Sequence, residues 1–118
     1  MKLIERLRPL LLEHAQAAST TTYKRLADRL GLEPPHTIHR VTEALEALMA
    51  EDVAAGRPLL AALCVSRLHG LPARGFFMTA HALGVFAGNP EGADARGFHA
   101  QELERAFAFY GPSGPAPR

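Results

Sequence analysis

Apolar side chains recur at Leu3, Ile4, Leu7, Leu10, Leu11 and Leu12. This helical spacing predicts an amphipathic helix over residues 2–17. Pro9 falls inside it, where a proline either kinks the helix or sets a late start. Ser19, Thr20, Thr21 and Thr22 break the pattern and offer hydroxyl caps for a second helix over 23–30. Gly31 stands where a left-handed terminating residue is wanted. Glu33, Pro34 and Pro35 bar continuation, and Thr37 then caps a third helix, 37–51. Ile38, Val41, Leu45, Leu48 and Met49 follow a three-four spacing along it. Two helices joined this tightly, the second longer and amphipathic, outline a helix-turn-helix.

Gly56, Arg57 and Pro58 end the third helix, and the continuous apolar run 59–65 predicts a buried strand. Residues 69–75 carry turn chemistry. Phe76 and Phe77 either return as a second short strand or open a brief helix over 77–86. Residues 87–92 are a loop, and a last helix over 98–110 places Phe98, Ala106, Phe107 and Tyr110 on one face. Residues 111–118 are too rich in proline and glycine to pack and are expected to form a disordered tail. The order gives one domain, 1–110, mainly α with a small β-hairpin (α+β), on the plan of a winged helix-turn-helix.

Composition changes this picture little. The chain has 118 residues, 47% of them hydrophobic and 21% charged, which suits one globular core. The single cysteine, Cys64, excludes an internal disulfide framework and every zinc site needing two thiolates. Glu5, Arg6, Arg8, Glu13 and His14 interrupt any signal-peptide core, and no apolar run approaches the ~18 residues of a membrane span. A cytoplasmic protein without membrane association is the expectation.

Net charge is only +1, against a strongly charge-driven nucleic-acid binder. Its distribution is more informative. After Asp52 no acid appears until Glu91, and the interval holds Arg57, Arg67, Arg74, His69 and His81. On the winged-helix plan the third helix presents His36, His39, Arg40, Glu43 and Glu46 to solvent, and the wing 67–75 carries Arg67 and Arg74. The two glutamates count against reading DNA with this face, because phosphates repel them. The competing reading is a solvated structural helix whose acids balance Lys24, Arg25 and Arg29.

The stretch Thr22-Tyr23-Lys24-Arg25-Leu26-Ala27, then Gly31, then His39-Arg40-Val41-Thr42-Glu43-Ala44-Leu45 resembles the DNA-binding domain of O6-alkylguanine-DNA alkyltransferases and alkyltransferase-like proteins. That family opens one helix with Thr-Tyr-Gly-x-Leu-Ala and carries Arg-Ala-Val-Gly-x-Ala-Leu on its recognition helix. In element order the likeness runs over about residues 20–110, with two extra residues in the turn. It implies that Tyr23 presses on a DNA phosphate and that His39 stands where the family has its intercalating arginine, with Arg40 one place late. That departure removes the residue that fills a vacated base stack. The family's nucleophile lies in Pro-Cys-His-Arg, whereas residues 61–67 here read Ala-Ala-Leu-Cys-Val-Ser-Arg. Cys64 lacks those neighbours and is expected in the core.

His36 and His39 are an isolated pair without a third ligand, and no phosphate loop or catalytic elbow is present. The expectation is therefore a module without enzymatic activity, cofactor or metal. It contacts DNA through helix 37–51 and the 67–75 wing, using Tyr23, His39, Arg40, Arg67 and Arg74. The alternative is a protein–protein adaptor on the same fold, with Phe76, Phe77, Phe98, Phe107 and Phe109 as its apolar stock. Phe109 either points outward to seed that interface or covers a neighbouring loop.

Overall fold

The computed structural model describes residues 1–114. The chain is mainly helical: α1 (Leu3–Gln16), β1 (Thr21–Thr22), α2 (Tyr23–Arg29), α3 (Thr37–Ala54), a 3₁₀ turn (Leu60–Leu63), β2 (Cys64–Val65), α4 (Arg74–Ala82) and α5 (Ala93–Tyr110). Leu7, Leu11 and Ala15 turn one face of α1 into the core, and Pro9 sits within the helix on its solvent side. The late start that proline allowed does not occur, since α1 begins at Leu3.

Thr22 ends β1 and caps α2, its Oγ1 accepting the Arg25 N–H at 3.2 Å. Gly31, at φ +68°, then reverses the chain in the left-handed region that glycine enters without a Cβ penalty. On α3, Val41, Leu45, Leu48 and Met49 are buried, but Ile38 is 45% exposed. The cap of α3 falls one residue earlier than Thr37. His36 takes that place because its carbonyl already accepts the Arg40 N–H at 3.0 Å.

The apolar run 59–65 is buried, as its composition requires, yet only Cys64 and Val65 form a strand. Its first amides find side-chain carboxylates instead of a neighbouring strand. The Leu59 N–H donates to Glu102 Oε2 at 2.8 Å and the Leu60 N–H to Asp52 Oδ2 at 3.1 Å. Tyr110 donates its hydroxyl to the Pro58 carbonyl at 2.8 Å, and His99 Nε2 meets the Ala62 carbonyl at 2.9 Å. Side chains of α3 and α5 thus satisfy a buried segment that a sheet would otherwise have to pair.

The expected β-hairpin is absent among the described residues. The one strand pair is parallel, Thr21 opposite Cys64 and Thr22 opposite Val65, and α2 and α3 lie between its strands in sequence. The segment 67–75 is consequently not a two-stranded wing. It is a loop followed by the first turn of α4, which contains both Phe76 and Phe77. Both rings are buried and pack edge to face at 5.1 Å. A strand would send adjacent side chains to opposite faces, so burying both in one core favours the helix.

The last helix starts five residues before the expected Phe98, at Ala93 after Gly92. Its buried face is Ala95, His99, Glu102, Ala106 and Tyr110. Phe98 and Phe107 flank that face and are half-buried. Phe109 is not an outward anchor: it is half-buried, and its ring packs edge-on against Tyr110 at 4.9 Å. Residues 111–114 form a turn closed by the Gly114 N–H on the Gly111 carbonyl. The rest of the expected tail, 115–118, lies outside the described residues.

His99 links stability to pH. A carbonyl partner requires Nε2 to carry a proton, which leaves Nδ1 as the titrating atom of a buried ring. Burial pushes this imidazole below its ordinary value, and the bond to the Ala62 carbonyl offsets part of that effect. The unfolded chain, with a histidine pKa of about 6.5, therefore binds more protons than the fold as pH drops through that value. Stability contributed by neutral His99 is complete above about pH 6.5 and is lost below it, toward the lower folded value. Urea titrations between pH 7.5 and 5 are expected to show a smaller pH slope for His99→Gln than for the wild type. Equal slopes would remove His99 from the account.

Candidate functional site

The parallel pairing of β1 with β2 sets the end of β1 beside the chain leaving β2. As a result, the start of α2, the start of α3 and the loop after β2 border one open groove of about 680 Å³. Lys24, Arg25 and Arg67 bring three cations to its walls, against one acid, Asp28. Lys24 and Asp28 pair at 3.2 Å, both well exposed. Among the described residues Arg25 and Arg67 make no ion pair. Ile38 adds an exposed apolar side chain to the wall.

Tyr23 ties the groove together. Its hydroxyl accepts the Ala73 N–H at 2.8 Å, fixing the far end of the 66–73 loop to the first residue of α2. Burial pushes the phenol up to about 12, partly opposed by that same hydrogen bond. At neutral pH it therefore keeps its proton, which is not used by Ala73 and is available for an acceptor in the groove.

Of the five residues that the sequence marks out, Tyr23 and Arg67 line this groove and His39, Arg40 and Arg74 do not. His39 is exposed and lies 3.4 Å from Glu43 on its own helix. Arg40 is exposed without an ion pair among the described residues. Successive helical residues are about 100° apart, so with Ile38 on the groove, Arg40 points about 200° around α3 from it. Arg74 opens α4 instead of standing on a wing, and it pairs with Glu91 at 3.3 Å. Helix 37–51 therefore brings its first turn to the groove, not its length. Lys24, Arg25 and Ile38 are among the lining residues that sequence reasoning missed as contacts. The local signal of Lys24 and Arg25, two cations in the first turn after the Thr22 cap, is too common to mark a site.

Cys64 is fully buried, and burial raises its thiol well above the ordinary range. Thiolate is the reactive form, so the folded protein is expected to resist a maleimide and to label only in denaturant. Rapid labelling of the native state would show the side chain to be accessible. Among the described residues no group of three or more His, Cys, Asp or Glu side chains is placed to hold a metal ion. Nor is any helix there long and apolar enough to cross a membrane. No protein-family model, no curated protein and no solved structure matches the chain.

Proposed function

We propose that this chain is a non-enzymatic DNA-binding module of the helix-turn-helix, alkyltransferase-like kind, without the wing, seating a phosphate backbone in the groove between α2 and the 66–73 loop. The observation that carries this reading is the convergence of Lys24, Arg25 and Arg67 around one groove beside a single acid. Cations so placed neutralise phosphates and release counterions, a driving force that needs no large net charge on the protein as a whole. The Tyr23 hydroxyl, its proton uncommitted to Ala73, suits a phosphate oxygen in the groove that Tyr23 lines. A buried, unactivated Cys64 gives the site no nucleophile of the alkyltransferase type.

A protein adaptor is the second reading, favoured by the exposure of Ile38 on the groove wall and of Leu68 next in the chain to groove-lining Arg67. Fluorescence anisotropy of labelled duplex DNA, at low salt and again near physiological salt, separates the two. Binding that weakens steeply with salt supports the DNA reading. No binding even at low salt overturns it and leaves the adaptor.

A further inference from the structure

Met1 at the start of the chain aside, the most exposed large apolar side chain among the described residues is Leu68, at 84%, next in the chain to groove-lining Arg67. Its exposure does not come from a loose segment. The Ser66 N–H donates to the Leu71 carbonyl at 2.7 Å, the Gly70 N–H to the Ser66 carbonyl at 2.9 Å, and the Leu68 N–H itself to Ser66 Oγ at 3.2 Å. Gly70 supplies a left-handed residue at φ +67°, and buried Pro72 and the Ala73–Tyr23 bond anchor the loop's far end. A built turn thus holds an isobutyl group in water.

Turn tips are ordinarily given to glycine, asparagine, aspartate or serine, which satisfy the backbone and solvate well. Here the tip reads Arg67-Leu68-His69, all three exposed, inside a stretch of sequence without an acid from 53 to 90. An apolar point between two basic side chains fits a partner whose surface alternates anionic groups with flat apolar faces. Duplex DNA has that arrangement, with phosphates outside and stacked bases within. Leucine is among the side chains that enter such stacks as wedges, unstacking a base step in exchange for contact.

We propose that Leu68 is a wedge that enters the base stack of bound duplex DNA, while Arg67 and His69 hold the flanking phosphates. This rests on the DNA reading of the groove and adds to it the part that deforms the duplex. It assigns the loop a task that the groove cations do not perform, since they neutralise the backbone without touching bases.

The test uses duplexes with 2-aminopurine at successive positions, whose fluorescence rises when the base is unstacked, and the full chain. At saturation the wild type is expected to raise the signal severalfold at one or two adjacent positions. Leu68→Ala and Leu68→Ser are expected to bind about tenfold more weakly, the loss of one buried leucine, and to give no rise at saturation. Arg67→Ala weakens binding but keeps the rise at saturation. Met78→Ala, which removes another exposed apolar side chain, on α4, leaves both affinity and signal as in the wild type. Unchanged melting temperatures for the Leu68 variants exclude misfolding as the cause. Wild-type saturation without a rise at any position, or an undiminished rise with Leu68→Ala, overturns the wedge and leaves the DNA reading intact. Absence of binding by every form at low salt overturns that reading, and the wedge with it.

Discussion

Replacing Asp52 by alanine is expected to remove about 3–5 kcal/mol of folding stability, enough to lower Tm by roughly 10–20 °C. Asp52 is fully buried on α3. Its Oδ1 lies 3.0 Å from Arg8 Nη2 on α1 and 3.1 Å from Arg57 Nη2, and its Oδ2 accepts the Leu60 N–H at 3.1 Å. One carboxylate therefore joins α1, the end of α3 and the start of the 3₁₀ turn. Truncation leaves a buried amide without an acceptor and two guanidinium groups facing an empty place, and an unmatched buried donor costs more than a matched one contributes. Glu51 is the control. It meets the same Arg8 nitrogen at the same 3.0 Å, but its side chain is 53% exposed, so Glu51→Ala is expected to cost under about 1 kcal/mol. Asp52→Asn keeps an acceptor for Leu60 while losing the charge, and should fall between the two. Urea midpoints at constant m-value check the series. A loss below about 1 kcal/mol for Asp52→Ala would mean that the turn is held by its apolar contacts alone.

Asp52 also shows why part of this fold was legible in the sequence and part was not. The periodicity of Val41, Leu45, Leu48 and Met49 marks a helix because the pattern and the structure share one period, and the same holds for Leu7 and Leu11. Thr22 and Gly31 mark the limits of α2 by local backbone chemistry, which needs no distant partner. The run 59–65 carries a burial signal without a period, and what decides its conformation is which groups meet its amides. Those groups, Asp52 and Glu102, sit in helices where a lone acid reads as a solvent-facing residue. The strand pairing was illegible for a related reason: two residues on each side have no pattern, and their partners are 43 positions apart. The groove inherits this. Tyr23 and Arg67 could be singled out one at a time, but only the β1–β2 register shows that Lys24 and Arg25 share a wall with Arg67 while Arg40 and Arg74 do not.

That division of the cations sets the second large effect. If Lys24, Arg25 and Arg67 each neutralise one phosphate, log K should fall with log salt at a slope of about −2.7, so raising salt from 50 to 200 mM should weaken DNA binding roughly 40-fold. Removing Arg67 and Arg25 together should reduce the slope to about −0.9 and weaken binding at low salt without altering sequence preference, because phosphate contacts carry no base information. Arg74→Ala is expected to change the slope far less, since Arg74 stands off the groove. Arg40→Ala separates this geometry from the earlier expectation of a recognition helix read along its length. A loss of sequence preference on removing Arg40, with the slope unchanged by removing Arg25 and Arg67, would place the DNA on the exposed length of α3 and leave the groove without a role.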